Sequence, residues 1–151
     1  MGSDKITTFY SNSEEETAAL AGRVGAALVG GEYISLEGDL GAGKTLFARE
    51  LARSLGVCGN ITSPTFVLQK IYPVPAAQAG ISRLVHYDFY RIGNYHELLD
   101  LGFEDHDGKT IVLAEWGNLF IEDFPQAPVR IQIEAQPGSS RLISIAGLII
   151  S

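Results

Sequence analysis

The sequence has little cysteine and little positive charge. Cys58 is the only cysteine among 151 residues, which excludes an internal disulfide and a zinc site built from cysteine ligands. Lysine and arginine number 11 against 18 aspartate and glutamate residues, giving a formal net charge of −7. The single cysteine fits a reducing compartment. Because the negative charge repels nucleic acid at long range, we expect a protein that does not bind RNA by itself.

Long apolar segments are also missing. No apolar run approaches the roughly 20 residues that a membrane-spanning helix requires, and Ser3, Asp4 and Thr7 stand where a signal peptide has its apolar core. The hydrophobic fraction of 46% is nevertheless in the range of about 45–50% found in soluble globular proteins. We therefore expect a cytoplasmic protein without a membrane segment, folded as one domain over residues 1–151.

The periodicity of the apolar residues predicts a chain of alternating helices and strands. Ser13 and Glu16 form a capping box that predicts a helix from Glu14 to Leu28. A strand, a glycine-rich loop and a helix are predicted next, and strict alternation near the C-terminus predicts an antiparallel hairpin. The predicted elements are strands at Tyr33–Glu37, Val67–Tyr72, Leu84–Asp88 and Thr110–Glu115, a helix at Thr45–Leu55, a surface loop at Pro73–Gly80, and hairpin strands at Val129–Glu134 and Leu142–Ile145. This order indicates the α/β class.

The segment from Gly38 to Thr45, GDLGAGKT, fits the pattern G-x-x-x-x-G-K-[ST]. Its glycines let the backbone wrap closely round phosphates, and successive N–H groups at the start of the following helix stabilise the anion. Lys44 can reach the β- and γ-phosphates, and the Thr45 hydroxyl can bind Mg²⁺. Because the segment lies between a predicted strand and a predicted helix, it predicts a nucleoside triphosphate site.

Two acidic residues end predicted strands. Asp88 ends Leu84–Asp88 and Glu115 ends the apolar run Thr110–Glu115, and ligand sites of α/β sheets lie at the carboxyl ends of strands. A carboxylate there can hold the metal or orient the attacking water; a turn or helix cap is the alternative for each residue. The guanine-reading pattern Asn-Lys-x-Asp does not occur in the sequence, which favours ATP over GTP.

Other polar and aromatic residues give weaker signals. His86, His96 and His106 show no metal-ligand spacing, and we expect His86 to be a satisfied, partly buried histidine within a strand. Thr65 belongs to Ser-Pro-Thr-Phe, where related folds place a hydroxyl near the γ-phosphate, although an ordinary turn is an alternative. Trp116 fits either a packed aromatic or a stacking surface.

Five segments in order, GDLGAGKT, TSPTFVL, HYDFYR, ELLDLGF and LAEW, resemble the TsaE (YjeE) family of small bacterial ATPases. The resemblance implies a P-loop NTPase-like three-layer sandwich with a mostly parallel central sheet and an antiparallel C-terminal hairpin. It also implies Mg²⁺-dependent ATP hydrolysis with TsaD and TsaB, which make N6-threonylcarbamoyladenosine in tRNAs reading codons that begin with A. With a net charge of −7, the chain is expected to meet tRNA only through the partner complex.

The resemblance assigns roles to individual residues. It places Mg²⁺ on Thr45 and Glu115, catalytic roles on Asp88 and Lys44, and a switch-like loop at Thr65. The nucleotide-binding set that it implies is Glu14, Gly38, Asp39, Leu40, Gly41, Ala42, Gly43, Lys44, Thr45 and Leu46, with Glu14 and the C-terminal hairpin on the adenine side. The chain departs from the family pattern at Leu46, Phe89 and Gly117–Asn118.

Two other functions use the same phosphate-binding loop. A small-molecule kinase needs an acceptor pocket and usually a lid whose arginines neutralise the transferring phosphate. Arg83 and Arg91 are the only arginines between Arg53 and Arg130, and no long insertion supplies a lid. A regulatory module that binds ATP without useful hydrolysis is the second alternative, and partner binding switched by ATP against ADP would distinguish it.

Overall fold

The structure of the protein is a computed structural model that describes residues 5–62, 64, 67–75 and 78–150. Within these ranges the chain forms seven strands and three α-helices. The strands are β1 (Ile6–Ser11), β2 (Tyr33–Glu37), β3 (Gln69–Pro73), β4 (Arg83–Asp88), β5 (Thr110–Glu115), β6 (Val129–Ala135) and β7 (Arg141–Ala146). The helices are α1 (Glu14–Ala27), α2 (Lys44–Ser54) and α3 (Tyr95–Asp100), and short 3-10 helices lie at Gln78–Gly80, Phe89–Arg91 and Gly117–Asp123.

The seven strands form one sheet in the order β1-β7-β6-β2-β5-β4-β3. β2 lies in the middle and pairs in parallel with β5 and β6, and β5 pairs in parallel with β4. The β1–β7, β6–β7 and β3–β4 pairs are antiparallel. The α/β class, with its parallel core and antiparallel C-terminal hairpin, is confirmed.

Both faces of the sheet are covered, which explains why β5 is buried along its whole length. On one face, α1 and α2 contribute residues such as Leu20 and Leu51 to a mainly aliphatic core. The opposite face carries a cluster rich in aromatic residues, in which the rings of Tyr87 and Phe103 meet edge to face at 5.4 Å. The chain therefore has the expected three layers. None of the helices in the described ranges is long and apolar enough to cross a membrane.

One strand and one α-helix were not predicted. β1 alternates between exposed and half-buried residues, and its inward positions include Thr7 and Ser11, so it lacks the apolar alternation that marks a strand. α3 spans six residues with only Leu98 buried, which is too short for a helical period to show. Both elements depend on pairing or packing with segments that are distant in the sequence.

Predicted boundaries differ by one or two residues. β3 begins at Gln69 rather than Val67, because Leu68 has φ +67° and this left-handed conformation interrupts the extended backbone. Pro73 ends β3 opposite Arg83 and so precedes the surface loop. α1 ends at Ala27, since Leu28 is already extended.

The carboxyl ends of β2, β4 and β5 meet at one edge of the sheet because these strands are parallel. Glu37, Asp88 and Glu115 are the last residues of the three strands, and all three are buried. β2 then continues into the glycine-rich loop. This edge is where α/β sheets bind ligands.

Candidate nucleotide-binding site

Residues 38–45 form the turn between β2 and α2. Gly38, Gly41 and Gly43 have φ values of +154°, +80° and +108°, a range that residues with a side chain rarely adopt. A Cβ atom on Gly38 would also lie 2.5 Å from the carbonyl oxygen of Ile133. No side chain in the described ranges caps α2 at Gly43. The first N–H groups of α2 therefore remain available to an anion.

A cleft of about 580 Å³ lies in front of this loop, within the range of about 300–1,000 Å³ typical of small-molecule sites. The structure brings ten of the sequence-predicted residues to its wall: Glu14, Leu40, Gly41, Ala42, Gly43, Lys44, Thr45, Leu46, Asp88 and Glu115. Gly38 and Asp39 line a smaller neighbouring cavity of about 220 Å³. Thr65 lies outside the described residues.

The Lys44 side chain lies against the loop that precedes it. Its Nζ donates hydrogen bonds to the carbonyl oxygens of Gly38 at 2.5 Å and Asp39 at 2.9 Å. Nζ also lies 4.2 Å from the ring centre of Trp116, a distance typical of a cation–π contact. Burial lowers the pKa of Lys44, and nearby carboxylates, Glu115 first, only partly oppose this shift. The ammonium therefore sits partly desolvated at the floor of the cleft.

Asp88 and Glu115 lie directly opposite each other on β4 and β5. The two residues are 6% and 3% exposed. Asp88 Oδ1 accepts a hydrogen bond of 3.0 Å from the backbone N–H of Tyr90 and caps the 3-10 helix Phe89–Arg91. Asp88 is therefore a helix cap through one of its oxygens, as the alternative interpretation of the sequence expected, and it also lines the cleft. The arrangement places two carboxylates in the wall of the cleft, together with the glycine-rich loop.

His86 differs from the sequence prediction. It is 1% exposed rather than partly buried, and its Nε2 lies 2.7 Å from Glu115 Oε2. The ring is not fully satisfied, because Nδ1 is buried without a hydrogen-bond partner among the described residues. The spacing of His86 and Glu115 in the sequence does not indicate this contact, because the two residues meet only through the register of β4 and β5.

Arg141 was missed by the sequence analysis. It is the first residue of β7, and its Nε donates a 2.8 Å hydrogen bond to the carbonyl oxygen of Ala42 in the loop. The cleft lining contains three basic residues (Lys44, Arg91 and Arg141) and three acidic ones (Glu14, Asp88 and Glu115). The cleft is therefore balanced in charge, although the whole chain carries −7. No local sequence pattern marks Arg141, since it reaches the loop only through the folding of the hairpin.

The structure shows what surrounds three of the residues that depart from the family pattern. A Cβ atom on Gly117 would lie 3.0 Å from the Cα atom of Ser35 and closer still to its side chain, so a larger residue would not fit there. Phe89 is buried and packs edge to face on Phe103 with ring centres 5.3 Å apart. Leu46 lines the cleft from the first turn of α2, where its backbone N–H is one of the available donors.

Known proteins match this chain along most of its length. The profile of the family described as "Threonylcarbamoyl adenosine biosynthesis protein TsaE" matches residues 11–143. Proteins described as tRNA threonylcarbamoyladenosine biosynthesis protein TsaE from Rickettsia conorii and Bacillus subtilis are each 36% identical to it, over 137 and 135 residues. These matches cover 89% of this chain and 74% and 81% of the two relatives. The protein of that name from Treponema pallidum is 34% identical, over 90% of this chain and 97% of its own.

A solved structure has the same fold. The crystal structure of Bacillus subtilis YdiB aligns with a TM-score of 0.74 and 30% sequence identity, covering 96% of this chain and 87% of that chain. The similarity thus includes both the parallel core of the sheet and the antiparallel hairpin. Since the family profile spans residues 11–143 and relatives align over most of both chains, the protein belongs to the TsaE family of threonylcarbamoyl adenosine biosynthesis proteins.

Proposed function

We propose that this protein is a Mg²⁺-dependent ATPase that acts with TsaD and TsaB in forming N6-threonylcarbamoyladenosine in tRNAs reading codons that begin with A. The observation that supports the ATPase best is the cleft in which Lys44 and the glycine-rich loop face the opposed carboxylates Asp88 and Glu115. The family and the names of the relatives support the pathway. Residues 1–151 act in this proposal as one P-loop ATPase domain in the cytoplasm.

Each part of the cleft has a role in binding ATP. The N–H groups of residues 41–46 hold the phosphates at the start of α2, where the helix dipole favours negative charge. Lys44 contacts the β- and γ-phosphates once its ammonium leaves the carbonyl oxygens of Gly38 and Asp39. Arg141 and Glu14 line the same cleft and flank the nucleoside side.

The oxygen atoms at the cleft fit a magnesium ion. Thr45 is exposed and lies with Glu115 in the cleft wall, and hydroxyl and carboxylate oxygens are ligands that Mg²⁺ accepts. No group of three or more His, Cys, Asp or Glu residues in the described ranges is arranged to hold a metal. This agrees with Mg²⁺ sites completed by nucleotide phosphates and water rather than by a full protein cage. When bound through Thr45 and Glu115, the ion would supply positive charge that stabilises the negative charge developing during phosphoryl transfer.

Hydrolysis also needs a group that orients the attacking water. Asp88 is buried, and its Oδ1 is already held by the Tyr90 N–H, so its carboxylate has a fixed direction at the cleft wall. In this proposal Asp88 positions the water, while Lys44 stabilises the negative charge that develops on the phosphate. The change from ATP to ADP then alters the affinity for TsaD and TsaB. The acidic chain leaves tRNA binding to those partners.

Steady-state ATP hydrolysis tests this proposal. The purified protein is assayed with Mg²⁺ alone, and then with TsaD and TsaB from the same organism. We expect slow turnover by the protein alone, a rise with both partners, and no turnover by Lys44→Ala or Glu115→Ala. Lys109→Ala is the matched control, because this exposed lysine lies at the amino end of β5, away from the cleft.

The alternatives give different results in the same assay. Turnover by Lys44→Ala or Glu115→Ala at the wild-type rate would contradict the site assignment. Turnover that the partners leave unchanged, with partner binding switched by ATP against ADP, would indicate a regulatory module. Phosphoryl transfer that appears only with a small acceptor would indicate a kinase.

A further inference from the structure

The register of the sheet places His86 beside Glu115. His86 lies two residues before Asp88 on β4 and opposite Leu113 of β5, so Glu115 is its diagonal neighbour on the same face. His86 Nε2 and Glu115 Oε2 are 2.7 Å apart, and the two side chains are 2% and 4% exposed. Since both residues are on central strands, the contact has little freedom to rearrange.

The hydrogen bond assigns the proton to one ring nitrogen. A carboxylate oxygen only accepts hydrogen bonds, so Nε2 of His86 donates and Glu115 Oε2 accepts. Nδ1 is buried and has no hydrogen-bond partner among the described residues. An unpaired buried polar atom is unfavourable, and an apolar side chain of similar size would avoid that cost. Packing alone therefore does not account for a histidine at this position.

The contact with His86 uses only one of the two carboxylate oxygens of Glu115. Oε2 is engaged by His86, which fixes the rotamer and the plane of the carboxylate, while Oε1 takes no part in this bond. We infer that His86 is a positioning residue: it holds the Glu115 carboxylate so that one oxygen is directed at the metal of the bound nucleotide. This inference rests on the proposed function, in which Glu115 binds Mg²⁺.

The size of the effect follows from comparable sites. Residues that hydrogen-bond to a metal ligand and fix its orientation commonly change metal affinity by about 10–100-fold when they are mutated. In the proposed function, Lys44 and the N–H groups of the loop hold the phosphates without a contact from His86. We therefore expect His86 to affect the Mg²⁺ dependence of nucleotide binding and to leave metal-free binding unchanged.

Two variants of similar length separate the hydrogen bond from packing. His86→Gln keeps an N–H donor near the position of Nε2, whereas His86→Met fills a similar volume without a donor. Isothermal titration measures ADP binding at a series of Mg²⁺ concentrations and in EDTA. For His86→Met, we expect the Mg²⁺ concentration that gives half of the Mg²⁺-dependent change in ADP binding to rise by about 10–100-fold. For His86→Gln, we expect this concentration to stay close to the wild-type value. In EDTA, both variants should bind ADP like the wild type.

The Glu115→Gln variant separates this inference from the proposed function. If Glu115→Gln leaves the Mg²⁺ dependence of ADP binding unchanged, the metal role of Glu115 fails, and the role of His86 fails with it. If Glu115→Gln changes that dependence and a folded His86→Met does not, only the inference about His86 is overturned. Equal losses of ADP binding in EDTA by both His86 variants would show a purely structural role and also overturn it.

A measurement on the wild-type protein does not depend on the folding of any variant. Two-bond ¹H–¹⁵N correlation spectra of the histidine rings show which nitrogen carries the proton. We expect His86 to be protonated at Nε2 in the ADP complex, and we expect that resonance to move when Mg²⁺ is added. A proton on Nδ1 alone, or an Nε2 resonance insensitive to Mg²⁺, would overturn the inference.

Discussion

Arg130 and Glu37 form a two-point ion pair immediately before the glycine-rich loop. Arg130 Nε donates to Glu37 Oε2 and Nη2 donates to Oε1, each at 2.8 Å. Ser35 and Gln132 donate to the same carboxylate. Because Glu37 ends β2 and Arg130 lies on the parallel neighbour β6, the pair ties the residue before Gly38 to the sheet.

Replacing Arg130 with methionine should lower the free energy of unfolding by about 2 kcal/mol at pH 7. The substitution removes two charge-assisted hydrogen bonds and leaves a buried carboxylate with weaker donors. A fully buried pair broken in this way costs about 3–5 kcal/mol, but the Arg130 side chain is 40% exposed and solvent screens part of the interaction. Urea denaturation of wild type and variant measures the difference.

The effect of Arg130→Met should depend on pH. Burial raises the pKa of Glu37, but the hydrogen bonds from Arg130, Ser35 and Gln132 outweigh it, so the pKa lies below its ordinary value of 4.5. A lowered folded-state pKa contributes stability above the unfolded-state value, and this contribution is lost as the pH falls through the folded-state value. The gap between wild type and variant should therefore be widest near pH 7 and shrink below about pH 4.5. A gap that stays constant down to pH 3 would contradict the prediction.

Gly43→Ala should weaken ATP binding, whereas Gly56→Ala should not. Gly43 and Gly56 have φ values of +108° and +93°, and alanine in this left-handed range costs roughly 1–2 kcal/mol. Both variants should therefore lose similar stability in urea denaturation. Only Gly43 lies in the loop that lines the cleft, so only its substitution misdirects the N–H groups. Calorimetric titration with ATP makes the comparison, and equal affinities for ATP would rule out this role of the Gly43 backbone.

The glycine-rich loop and its place between a strand and a helix could be predicted because its residues are consecutive in the sequence. Eight consecutive residues, Gly38–Thr45, carry the glycines, the lysine and the hydroxyl. The apolar residues of the strand and helix around them recur at regular intervals. The positions of Asp88 and Glu115 could be predicted for a related reason. Each residue ends an apolar run, and parallel strands end at one edge of a sheet. The roles of all these residues remain predictions for experiments to test.

Contacts between distant segments could not be predicted in this way. The bond between His86 and Glu115 joins residues 29 positions apart, and the bond from Arg141 to Ala42 joins residues 99 positions apart. Both depend on strand order and register, which hydrophobic periodicity does not specify. β1 was missed for the same reason, because its place is set by pairing with β7 at the far end of the chain.

Nucleotide binding should change the fluorescence of Trp116, the only tryptophan in the sequence. The Lys44 ammonium lies 4.2 Å from the Trp116 ring centre, and phosphates that draw it away would change the environment of the indole. We expect a saturable change with ATP or ADP and none with adenosine, which has no phosphates. Lys44→Met should abolish the nucleotide-dependent change. An equal change with adenosine would show that the signal does not report the movement of Lys44.

Arg141→Gln should weaken ATP binding by about tenfold, or about 1.4 kcal/mol. Arg141 lines the cleft and contacts the loop through Ala42, so its loss removes a positive charge from the wall of the proposed ATP site, together with one hydrogen bond to the loop. The expected value is near the low end of that for a hydrogen bond to a charged group. Arg141→Lys, which keeps the charge, should lose less affinity.

The control for Arg141→Gln is Arg53→Gln. Arg53 lies in the last turn of α2, with its side chain 54% exposed and paired with Glu50, so its substitution changes the net charge by the same amount away from the cleft. Calorimetric titration with ATP at 0.05 and 0.3 M salt should show a weaker salt dependence for Arg141→Gln, because screening acts on the charge that was removed. Equal affinities and salt dependences of the two variants would mean that only the net charge of the chain matters and would exclude Arg141 from the site.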